Sequence, residues 1–398
     1  MIKAYYGIIG AGIVGMALAR ELKRRDPEAD ILILEKEEEE ALHASGRNSG
    51  VLHAGFYYTA DSLKARFTVE GNRALKAYCR QKGIPVNQCG KLVVAQDEEE
   101  LTALLELERR GRRNGACVRL LEEAEARELE PNIRTYRKAL YAPETASVDP
   151  RRVCRVLRED LLAQGVRFIF GARYLGRTGR IVHTSQGDLQ AVKIINAAGL
   201  YADQIAWDFG FGREYTLIPF KGIYLKYTKN KTDIRMNIYP VPNLRNPFLG
   251  VHFTKTADGS IKIGPTAIPA FWRENYEGLA NFSLKETGQV LFYEARLFMR
   301  DAFGFRRLAF EEMRKYRKAC FIQLAARMVR SIDEEGFTDY SPPGIRAQLL
   351  HKKTLRLVQD FVVEADGDSV HILNAVSPAF TCAFPFARWV VEHYMSSA

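Results

Sequence analysis

The chain has 398 residues and is 47% hydrophobic, which is enough to bury the core of one large α/β body or of two domains. Its net charge of +10 excludes a protein that is acidic overall. It makes nucleic acid, anionic membranes and acidic small molecules candidate partners. It has no run of about 18 apolar residues, which argues against a transmembrane helix. It has no signal-peptide layout and no C-x-x-C pair, which argues against a secreted disulfide scaffold and a zinc site. We therefore predict a cytoplasmic protein with reduced thiols.

Hydrophobic periodicity predicts an alternation of strands and helices along the chain. Val14, Leu18 and Leu22 are one helical turn apart directly after a short apolar run, which indicates a strand followed by a helix. Strands are predicted over 4–10, 29–37, 91–96, 166–171, 191–199, 355–363 and 369–376 and dominate 215–268, and helices are predicted over 10–25, 63–81, 97–115, 150–164, 283–332 and from about 378. This order predicts an α/β (α+β) fold.

The residues from Gly10 to Gly15 read G-x-G-x-x-G between the first predicted strand and the first predicted helix. Gly10 suits the tight turn, Gly12 allows the backbone to approach a pyrophosphate, and Gly15 allows the helix to pack closely on the strand. Glu35 ends the next predicted strand, where an acid suits a ribose diol and repels the 2′-phosphate of NADP. The pattern therefore predicts a dinucleotide site at the N-terminus of the helix.

The stretch 44–58, ASGRNSGVLHAGFYY, favours FAD over NAD, which the fingerprint alone does not decide. Its bare backbone and polar side chains can bond the phosphates, the ribityl hydroxyls or the ring edge of a long cofactor. The strand that ends at Asn196 continues into small residues, which let the chain pass close to a bound cofactor. We predict that FAD is held by Gly10, Gly12, Gly15, Glu35, Lys36, Ser45, Arg47, Asn48, Ser49, Gly50, Ala198, Gly199, Ser377 and Ala379.

Several motifs of the chain resemble those of the FAD-dependent L-2-hydroxyglutarate dehydrogenases and oxidases, which belong to the D-amino-acid-oxidase superfamily. The motifs are SGRNSGVLHAG, NAAGLYAD, NIYPVP, PFLGVHFT, DGSI, GIRAQ and NAVSPAFT, and the resemblance runs from Tyr5 to about Val391. It implies a discontinuous Rossmann-like FAD-binding domain and a substrate domain built on a mostly antiparallel β-sheet. We predict the FAD-binding domain over 1–82, 146–218 and 340–398, and the substrate domain with a helical cap over 83–145 and 219–339.

Oxidation of a 2-hydroxy acid by a flavin needs a cation for the carboxylate and a base for the hydroxyl proton. For the carboxylate we predict Arg346, because its planar fork suits bidentate binding and because the position of GIRAQ matches the carboxylate-binding arginine of related amino-acid oxidases. His53 and His252 are the candidate bases, and His53 is alternatively a covalent attachment point for the flavin, as in some relatives. The predicted lining residues of the substrate site are Lys221, Tyr224, Tyr57 and Tyr239.

Five positions depart from the pattern that the resemblance implies. Lys221 replaces an arginine, Ile223 an acid, Thr266 an asparagine, Trp272 a lysine and Phe380 an alanine. These changes remove one acid and one base and add bulk on the substrate side, while the flavin motifs are kept. The sequence therefore leaves open which 2-hydroxy or 2-amino carboxylate is the substrate.

The segment 296–330 holds ten Lys or Arg residues against three acids, with phenylalanines interleaved. One interpretation is docking on an anionic membrane, at the inner face, to pass electrons to quinone. The other interpretation, which the charge pattern favours, is a solvated helical cap with the phenylalanines in its core. Nothing beyond charge points to nucleic acid, so no nucleic-acid partner is predicted.

Three functional classes remain open at this stage. The first is a flavin-dependent dehydrogenase or oxidase of a 2-hydroxy acid similar to L-2-hydroxyglutarate, with oxygen or quinone as electron acceptor. The second is a flavin-dependent amino-acid or amine oxidase of the same superfamily. The third is a flavin-binding protein without turnover.

Overall fold

The computed structural model describes residues 1–229, 233–242 and 250–395. The strands of this part are β1 (Ile2–Ile9), β2 (Ile31–Leu34), β3 (Val51–Leu52), β4 (Val86–Asn87), β5 (Lys91–Val94), β6 (Arg119–Glu122), β7 (Lys138–Ala142), β8 (Ala146–Val148), β9 (Arg167–Ile169), β10 (Tyr174–Thr178), β11 (Ile181–Thr184), β12 (Gly187–Asn196), β13 (Tyr215–Gly222), β14 (Leu225–Tyr227), β15 (Asn237–Pro240), β16 (His252–Lys255), β17 (Ile261–Gly264), β18 (Ile268–Pro269), β19 (Phe337–Tyr340), β20 (Gly344–His351), β21 (Val362–Ala365) and β22 (Ser369–Asn374). The helices are α1 (Ile13–Arg25), α2 (Leu63–Gln81), α3 (Glu98–Arg113), α4 (Glu123–Leu129), α5 (Pro150–Ala163), α6 (Ala202–Asp208), α7 (Leu284–Arg300), α8 (Phe305–Arg314), α9 (Lys318–Ala326) and α10 (Ala379–Tyr394).

By their internal contacts the residues divide into two compact units. Unit 1 comprises Met1–Asn48, Pro150–Ile218 and Arg346–Ala398, and unit 2 comprises Ser49–Asp149 and Pro219–Ile345. The segment 49–82, predicted as part of the FAD-binding domain, lies in unit 2, because β3 and β4 both pair with β8 and α2 packs against β4. Which unit serves FAD and which serves the substrate remains a prediction.

Unit 1 is built on a sheet in which β1 lies between β2 and β12, and all three strands run parallel. Ile9 pairs with both Leu34 and Asn196, so the three strands end at one edge of the sheet. On this sheet α1 packs against α5 and α10, and the guanidinium of Arg20 lies 4.4 Å from the ring centre of Phe384. The edge formed by the carboxyl ends of parallel strands is where ligands bind in open α/β sheets.

Unit 2 is built on a sheet in the order β19-β14-β17-β16-β15-β5-β7-β6, in which β15 and β5 are parallel and the other pairs are antiparallel. Alternation along the strands gives this sheet two different faces. One face is apolar and packs against α9, with Phe253 and Phe321 in the same buried cluster. The mostly antiparallel sheet confirms the predicted α/β class with a second, mostly antiparallel domain.

The opposite face of the same sheet carries a second apolar cluster, which includes Val93 and Tyr239, and buried polar side chains next to it. Val93 pairs with Tyr239, and the registers of β15 with β16 and of β16 with β17 continue this row to His252. Lys91 is two residues before Val93 on β5, so it points to this face as well. Ionisable and aromatic side chains that are distant in sequence thus share one buried surface.

Helices α7, α8 and α9 occupy the basic segment that the sequence predicts to be helical, together with the residues just before it. Phe305 and Phe321 are buried, but Phe292, Phe298, Phe303 and Phe310 are exposed. The interpretation that these phenylalanines form the core of a cap is therefore wrong for four of the six, because their rings lie on the outer side of the helices. Among the described residues, we find no helix that is both long and apolar enough to cross a membrane.

Candidate active site

The three fingerprint glycines have different surroundings in unit 1. Gly10 has a φ of 111°, and a Cβ there would lie 2.6 Å from the carbonyl oxygen of Ala197. A Cβ on Gly15 would lie 2.1 Å from the carbonyl oxygen of Gly10, so helix and strand approach as closely as the fingerprint requires. Among the described atoms, a Cβ on Gly12 would meet only the Ser45 hydroxyl, at 3.0 Å. As the sequence predicts, Gly10 makes the tight turn, Gly15 allows the close packing and Gly12 leaves the approach open.

The edge of the sheet beside these glycines carries an acid and a hydroxyl. The Glu35 carboxylate accepts hydrogen bonds from the N–H of Ala11 at 2.8 Å and of Glu37 at 3.1 Å. The Ser45 hydroxyl accepts one from the N–H of Ile13, at the start of α1, at 2.9 Å. The acid therefore lies beside the glycine turn, and the Gly12 position at the start of α1 is open except for the Ser45 hydroxyl, so the residues present fit a dinucleotide whose phosphates approach the helix N-terminus.

The polar stretch after β2 has no long strand or helix, as expected. A Cβ on Gly46 would lie 2.2 Å from the carbonyl oxygen of Ala41, so the backbone folds tightly back on itself. The Arg47 guanidinium donates to the carbonyl of Leu42 at 2.6 Å, and the Asn48 amide donates to the carbonyl of Ser45 at 2.7 Å. These two side chains therefore stabilise the loop itself.

The other predicted FAD residues lie in both units. In unit 1, the backbone of Ala198 lies 3.3 Å from the Cβ position of Gly10, and Gly199 begins the turn that leads to α6. Ser377 and Ala379 lie at the start of α10, and the ammonium of Lys36 is 5.6 Å from the ring centre of Tyr201. Ser49 and Gly50 belong to unit 2, where the Gly50 carbonyl accepts from the N–H of Val148 at 2.9 Å. A contact of any of them with FAD remains a prediction.

In unit 2, the structure brings together both candidate bases and two of the predicted lining residues. The rings of Tyr239 and His252 stack with their centres 3.6 Å apart. The ammonium of Lys91 lies 3.8 Å from the ring centre of Tyr239 and 5.2 Å from that of Tyr57. His53 is buried and is influenced electrostatically by both Lys91 and His252. These five side chains are hereafter called the histidine cluster.

Hydrogen bonding defines the tautomer of His252. Its Nδ1 lies 2.8 Å from the carbonyl oxygen of Gly250, and because a carbonyl only accepts, Nδ1 carries the hydrogen. In the neutral ring Nε2 then has the lone pair that can take a proton. His252 therefore has the tautomer that a general base acting through Nε2 needs.

The charges of the cluster are shifted mainly by burial. Burial first, then Lys91 and His252, hold the pKa of His53 well below 6.5. Burial lowers the pKa of Lys91 to about 7, and burial raises the pKa of Tyr57 and of Tyr239. Both tyrosines are therefore neutral at physiological pH.

The remaining predicted substrate residues lie outside the histidine cluster. Arg346 is partly buried on β20. Lys221 pairs with Ile268 between β13 and β18, and burial lowers the pKa of its ammonium. The ring centre of Tyr224 lies 4.7 Å from the ammonium of Lys262, a half-buried lysine of the sheet whose pKa is lowered by burial. Of the motif PFLGVHFT, residues 247–249 lie outside the described part of the chain.

Lys91 and Lys262 were not singled out from the sequence. Lys91 opens the apolar strand KLVV and is fully buried, and Lys262 lies between two isoleucines on β17. A lysine inside an apolar strand is a signal that was available, because lysine is almost never fully buried unless it has a partner.

Comparison with known proteins identifies the family. Residues 6–393 match the family described as "FAD dependent oxidoreductase". The chain belongs to this family. It is thus an FAD-dependent oxidoreductase with FAD as its cofactor, as the fingerprint and the polar loop predict.

Curated relatives resemble the chain along almost its whole length. L-2-hydroxyglutarate dehydrogenase of Escherichia coli O17:K52:H18 (strain UMN026 / ExPEC) is 35% identical, with 97% of this chain and 92% of the relative covered. The enzyme of the same name from Indibacter alkaliphilus is 35% identical, with 97% of each chain covered. The human enzyme named L-2-hydroxyglutarate dehydrogenase, mitochondrial, is also 35% identical, with 97% and 87% covered. The resemblance stated from the motifs is thereby confirmed.

Solved structures share the fold at lower identity. L-alpha-glycerophosphate oxidase from Mycoplasma pneumoniae with FAD bound has a TM-score of 0.77 at 21% identity, with 98% of this chain and 94% of that chain covered. Glycine oxidase from Geobacillus kaustophilus has a TM-score of 0.71 at 17% identity, with the same coverage. At this identity the likeness supports the fold alone, and it confirms the predicted fold class.

Proposed function

We propose that the chain oxidises a 2-hydroxy acid of the L-2-hydroxyglutarate type to the 2-oxo acid. The observation that carries this proposal is the 35% identity over 97% of the chain to enzymes named L-2-hydroxyglutarate dehydrogenase. The histidine cluster supports it, because dehydrogenation of an alcohol needs a base and the hydrogen bond from Nδ1 to the Gly250 carbonyl makes Nε2 the basic nitrogen of the neutral His252 ring. FAD, when bound, supplies the acceptor for the hydride from the substrate carbon.

In this proposal each residue has one task. Arg346 binds the substrate carboxylate through its planar guanidinium. His252 takes the hydroxyl proton at Nε2, and His53 is the alternative base. Tyr57 and Tyr239, which burial keeps neutral, and Lys221 and Tyr224 line the substrate site.

The five departures from the family pattern bear on which acid is the substrate. In the structure the Thr266 hydroxyl donates to the carbonyl of Lys221 at 2.9 Å and accepts from the N–H of Ile223 at 3.0 Å. Thr266 therefore ties these two changed positions together. Trp272 is buried and donates to the carbonyl of Ala280 at 3.0 Å, so its bulk lies inside unit 2. We propose that these residues set the preference among 2-hydroxy acids.

Anaerobic reduction of the bound flavin tests the proposal. The holoprotein is mixed without oxygen with L-2-hydroxyglutarate, D-2-hydroxyglutarate, shorter 2-hydroxy acids and the corresponding 2-amino acids, and the flavin absorbance is followed. We expect bleaching by L-2-hydroxy acids and not by the D enantiomer. Bleaching by 2-amino acids alone would show an amino-acid oxidase, and no bleaching by any compound would show a flavin-binding protein without turnover.

We further propose that the protein docks on an anionic membrane and passes its electrons to quinone, from the cytoplasmic side. Of the twenty large hydrophobic side chains that are exposed in the described part of the chain, twelve lie between residues 271 and 316. Leu284, Met299 and Phe310 are 77%, 67% and 64% exposed. The ten basic residues of 296–330 overlap this range of the sequence, and the combination of exposed apolar and basic side chains suits binding to a surface of anionic lipids.

Vesicle sedimentation tests the membrane proposal. We expect the protein to pellet with vesicles that contain phosphatidylglycerol and to stay in solution with pure phosphatidylcholine. The triple variant Phe292→Ser/Met299→Ser/Phe310→Ser should lose this binding. The control Leu175→Ser removes an apolar side chain that is also 64% exposed, on β10 of unit 1, and should keep it. Equal binding by the triple variant and the control would refute docking through these three side chains.

A further inference from the structure

Lys91 is a buried lysine with aromatic neighbours and unused hydrogen-bond donors. Its side chain is fully buried on β5, and among the described residues its ammonium has no hydrogen-bond partner. The nitrogen lies 3.8 Å, 5.2 Å and 5.7 Å from the ring centres of Tyr239, Tyr57 and Phe56. Cation–π attraction offsets only part of the cost of burying a charge, so the N–H donors of this ammonium remain to be satisfied.

The Tyr57 hydroxyl is a second unused donor in the histidine cluster. Its oxygen is buried and has no hydrogen-bond partner in the described part of the chain, although the ring of the same residue lies near the ammonium of Lys91. Proteins leave few buried polar atoms unpaired, and such atoms point to a water, an ion or a ligand at the site. Two of them on neighbouring side chains therefore indicate a binding position for a small polar group.

The chemistry of these donors favours an anion. An ammonium can only donate hydrogen bonds, and among the described residues no carboxylate pairs with Lys91 or shifts its pKa. Cys89 does act on Lys91, but burial raises the pKa of its thiol, which is therefore uncharged near neutral pH. A carboxylate supplies both the acceptors and the missing negative charge. That charge favours the protonated amine and so opposes the burial that lowers the pKa of Lys91 to about 7.

The position of Lys91 relative to the proposed base indicates which carboxylate this is. The ring of Tyr239 is in contact with the Lys91 ammonium and stacks on the His252 ring at 3.6 Å between ring centres. Because β15, which carries Tyr239, lies between β5 and β16, the lysine and the histidine approach this ring from different neighbouring strands. An anion at Lys91 is thus held beside the base, while the carboxylate on the reacting carbon belongs to Arg346 in the proposed function.

We propose that Lys91, together with the Tyr57 hydroxyl, binds the second carboxylate of a 2-hydroxy dicarboxylate and thereby selects dicarboxylates over monocarboxylates. This rests on the function proposed above, in which Arg346 binds the first carboxylate. A monocarboxylate of the same length would leave the buried ammonium unpaired, and a site built for a hydrogen bond rejects the analogue that cannot make it. The lysine that is costly to bury in the ligand-free chain is thus the source of the specificity.

Binding of two matched 2-oxo acids to the holoprotein tests the proposal without turnover. In 2-oxopentanoate a methyl group replaces the second carboxylate of 2-oxoglutarate, and isothermal titration calorimetry gives the affinity for each. We expect the wild type to bind 2-oxoglutarate more tightly. Lys91→Met, which keeps the apolar stem and removes the charge, should weaken this binding by about tenfold to a hundredfold. Binding of 2-oxopentanoate should not change in Lys91→Met, which also shows that the variant is folded.

Two further variants make the test decisive. Tyr57→Phe removes only the hydroxyl and should weaken the binding of 2-oxoglutarate alone, by a smaller factor than Lys91→Met does. Lys262→Met is the matched control, because Lys262 is a lysine of the same sheet whose ammonium also lies against a tyrosine ring, that of Tyr224, at 4.7 Å. We expect it to bind both acids like the wild type. Equal affinity of the wild type for the two acids, an unchanged preference in Lys91→Met, or an equal loss in Lys262→Met would overturn the proposal.

Failure of the proposed function gives a different result from failure of the carboxylate site. If no 2-hydroxy acid reduces the flavin while Lys91→Met still loses the preference for 2-oxoglutarate, the function proposed above fails and the carboxylate site stands. If L-2-hydroxyglutarate reduces the flavin of Lys91→Met with the same kcat/KM as that of the wild type, the function stands and Lys91 is not the site of the second carboxylate.

Discussion

Gly12 and Gly15 are three residues apart, yet the structure assigns different consequences to their loss. A side chain on Gly12 meets only the Ser45 hydroxyl, whereas one on Gly15 meets the backbone of Gly10 at 2.1 Å. We expect Gly12→Val to fold but to lose bound FAD, because the added side chain occupies the approach of the pyrophosphate. Gly15→Ala should instead lower the free energy of unfolding, by about 1–3 kcal/mol, as overpacking does.

Both variants, Gly12→Val and Gly15→Ala, are measured in two ways. Flavin absorbance after reconstitution with FAD reports the bound cofactor, and thermal unfolding reports the stability. Full flavin occupancy in Gly12→Val would show that the pyrophosphate does not lie against this turn.

Arg346 is the residue whose role depends most on the shape of its charged group. Arg346→Lys keeps the charge but loses the planar fork. We expect kcat/KM for carboxylate substrates to fall by the equivalent of about 1.5–3 kcal/mol, with the flavin still bound. Arg356→Lys, at an exposed position between β20 and β21, is the control and should change nothing. An unchanged kcat/KM in Arg346→Lys would make Arg346 a structural residue.

His252 and His53 are expected to differ in their effect on flavin reduction. His252 has a defined tautomer with Nε2 free of hydrogen when neutral, so His252→Ala should slow reduction more than His53→Ala does, by roughly 10²-fold or more. His53→Ala should mainly disturb the spectrum, potential or occupancy of the flavin.

Single-turnover reduction across pH distinguishes the two histidines. A general base must be neutral to act, so the rate should rise with pH through the pKa of the base, and this limb should vanish in His252→Ala. Loss of the limb in His53→Ala, with the limb retained in His252→Ala, would reverse the two roles.

Sequence reasoning at this scale found residues that belong to a local motif and missed one that does not. Gly10, Gly12 and Gly15 are recognisable because their spacing has a local physical reason. Lys91 and His252 are 161 positions apart and meet only through the pairing of β5, β15 and β16. Such register is not visible in one sequence, so the histidines were predicted singly and the lysine of the same cluster was not predicted.

Helix α9 packs onto the apolar face of the unit 2 sheet, and this packing predicts where stability is concentrated. Phe321 on α9 is 1% exposed within the cluster that contains Phe253, whereas Phe310 on α8 is 64% exposed. We expect Phe321→Ala to lower the free energy of unfolding by about 3–5 kcal/mol. Phe310→Ala, the control, should stay within about 0.5 kcal/mol of the wild type.

Urea unfolding followed by circular dichroism measures both variants. Similar unfolding midpoints for Phe321→Ala and Phe310→Ala would contradict the packing of α9 on the sheet.

Elements with a strong local signal were predicted with nearly their observed bounds. Helix α2 spans Leu63–Gln81 as expected, because its amphipathic spacing begins after a capping serine, Ser62, whose hydroxyl accepts from the N–H of Ala65. The two-residue strands β3 and β4 were missed, because each is defined only by its pairing with β8. Hairpin β10–β11 was missed as well, since its residues are largely exposed and lack a clear apolar alternation.

The predicted domains and the observed units of the whole molecule differ most at the first boundary. The FAD-binding domain was predicted over three segments, 1–82, 146–218 and 340–398, and unit 1 of the structure comprises Met1–Asn48, Pro150–Ile218 and Arg346–Ala398. The first boundary lies after Asn48 and not near residue 82, because the contacts of β3 and α2 are made within unit 2. A cofactor motif near the N-terminus shows where a domain begins. Where that segment ends depends on which strands pair with each other, and the motif does not reveal this pairing.

This assembly from distant segments predicts how FAD acts on the whole chain. The glycine turn, the end of β2 with the polar loop, and the end of β12 meet at one edge of the unit 1 sheet. A ligand that binds only the folded state suppresses local opening at its site. We therefore expect FAD to slow hydrogen exchange in three separate peptides, covering residues 10–15, 34–48 and 196–200.

Mass-spectrometric hydrogen exchange on FAD-loaded and FAD-stripped protein checks this prediction. The peptide covering 318–326, which is α9 in the apolar core of unit 2, is the internal control, and we expect its exchange to be the same in both forms. Equal slowing of the control would mean that FAD stabilises the chain globally and would leave the edge unsupported as its site. Absence of protection in 10–15 and 34–48 would contradict it, because the Gly12 turn and the Ser45 hydroxyl lie at the start of α1, where the phosphates must approach.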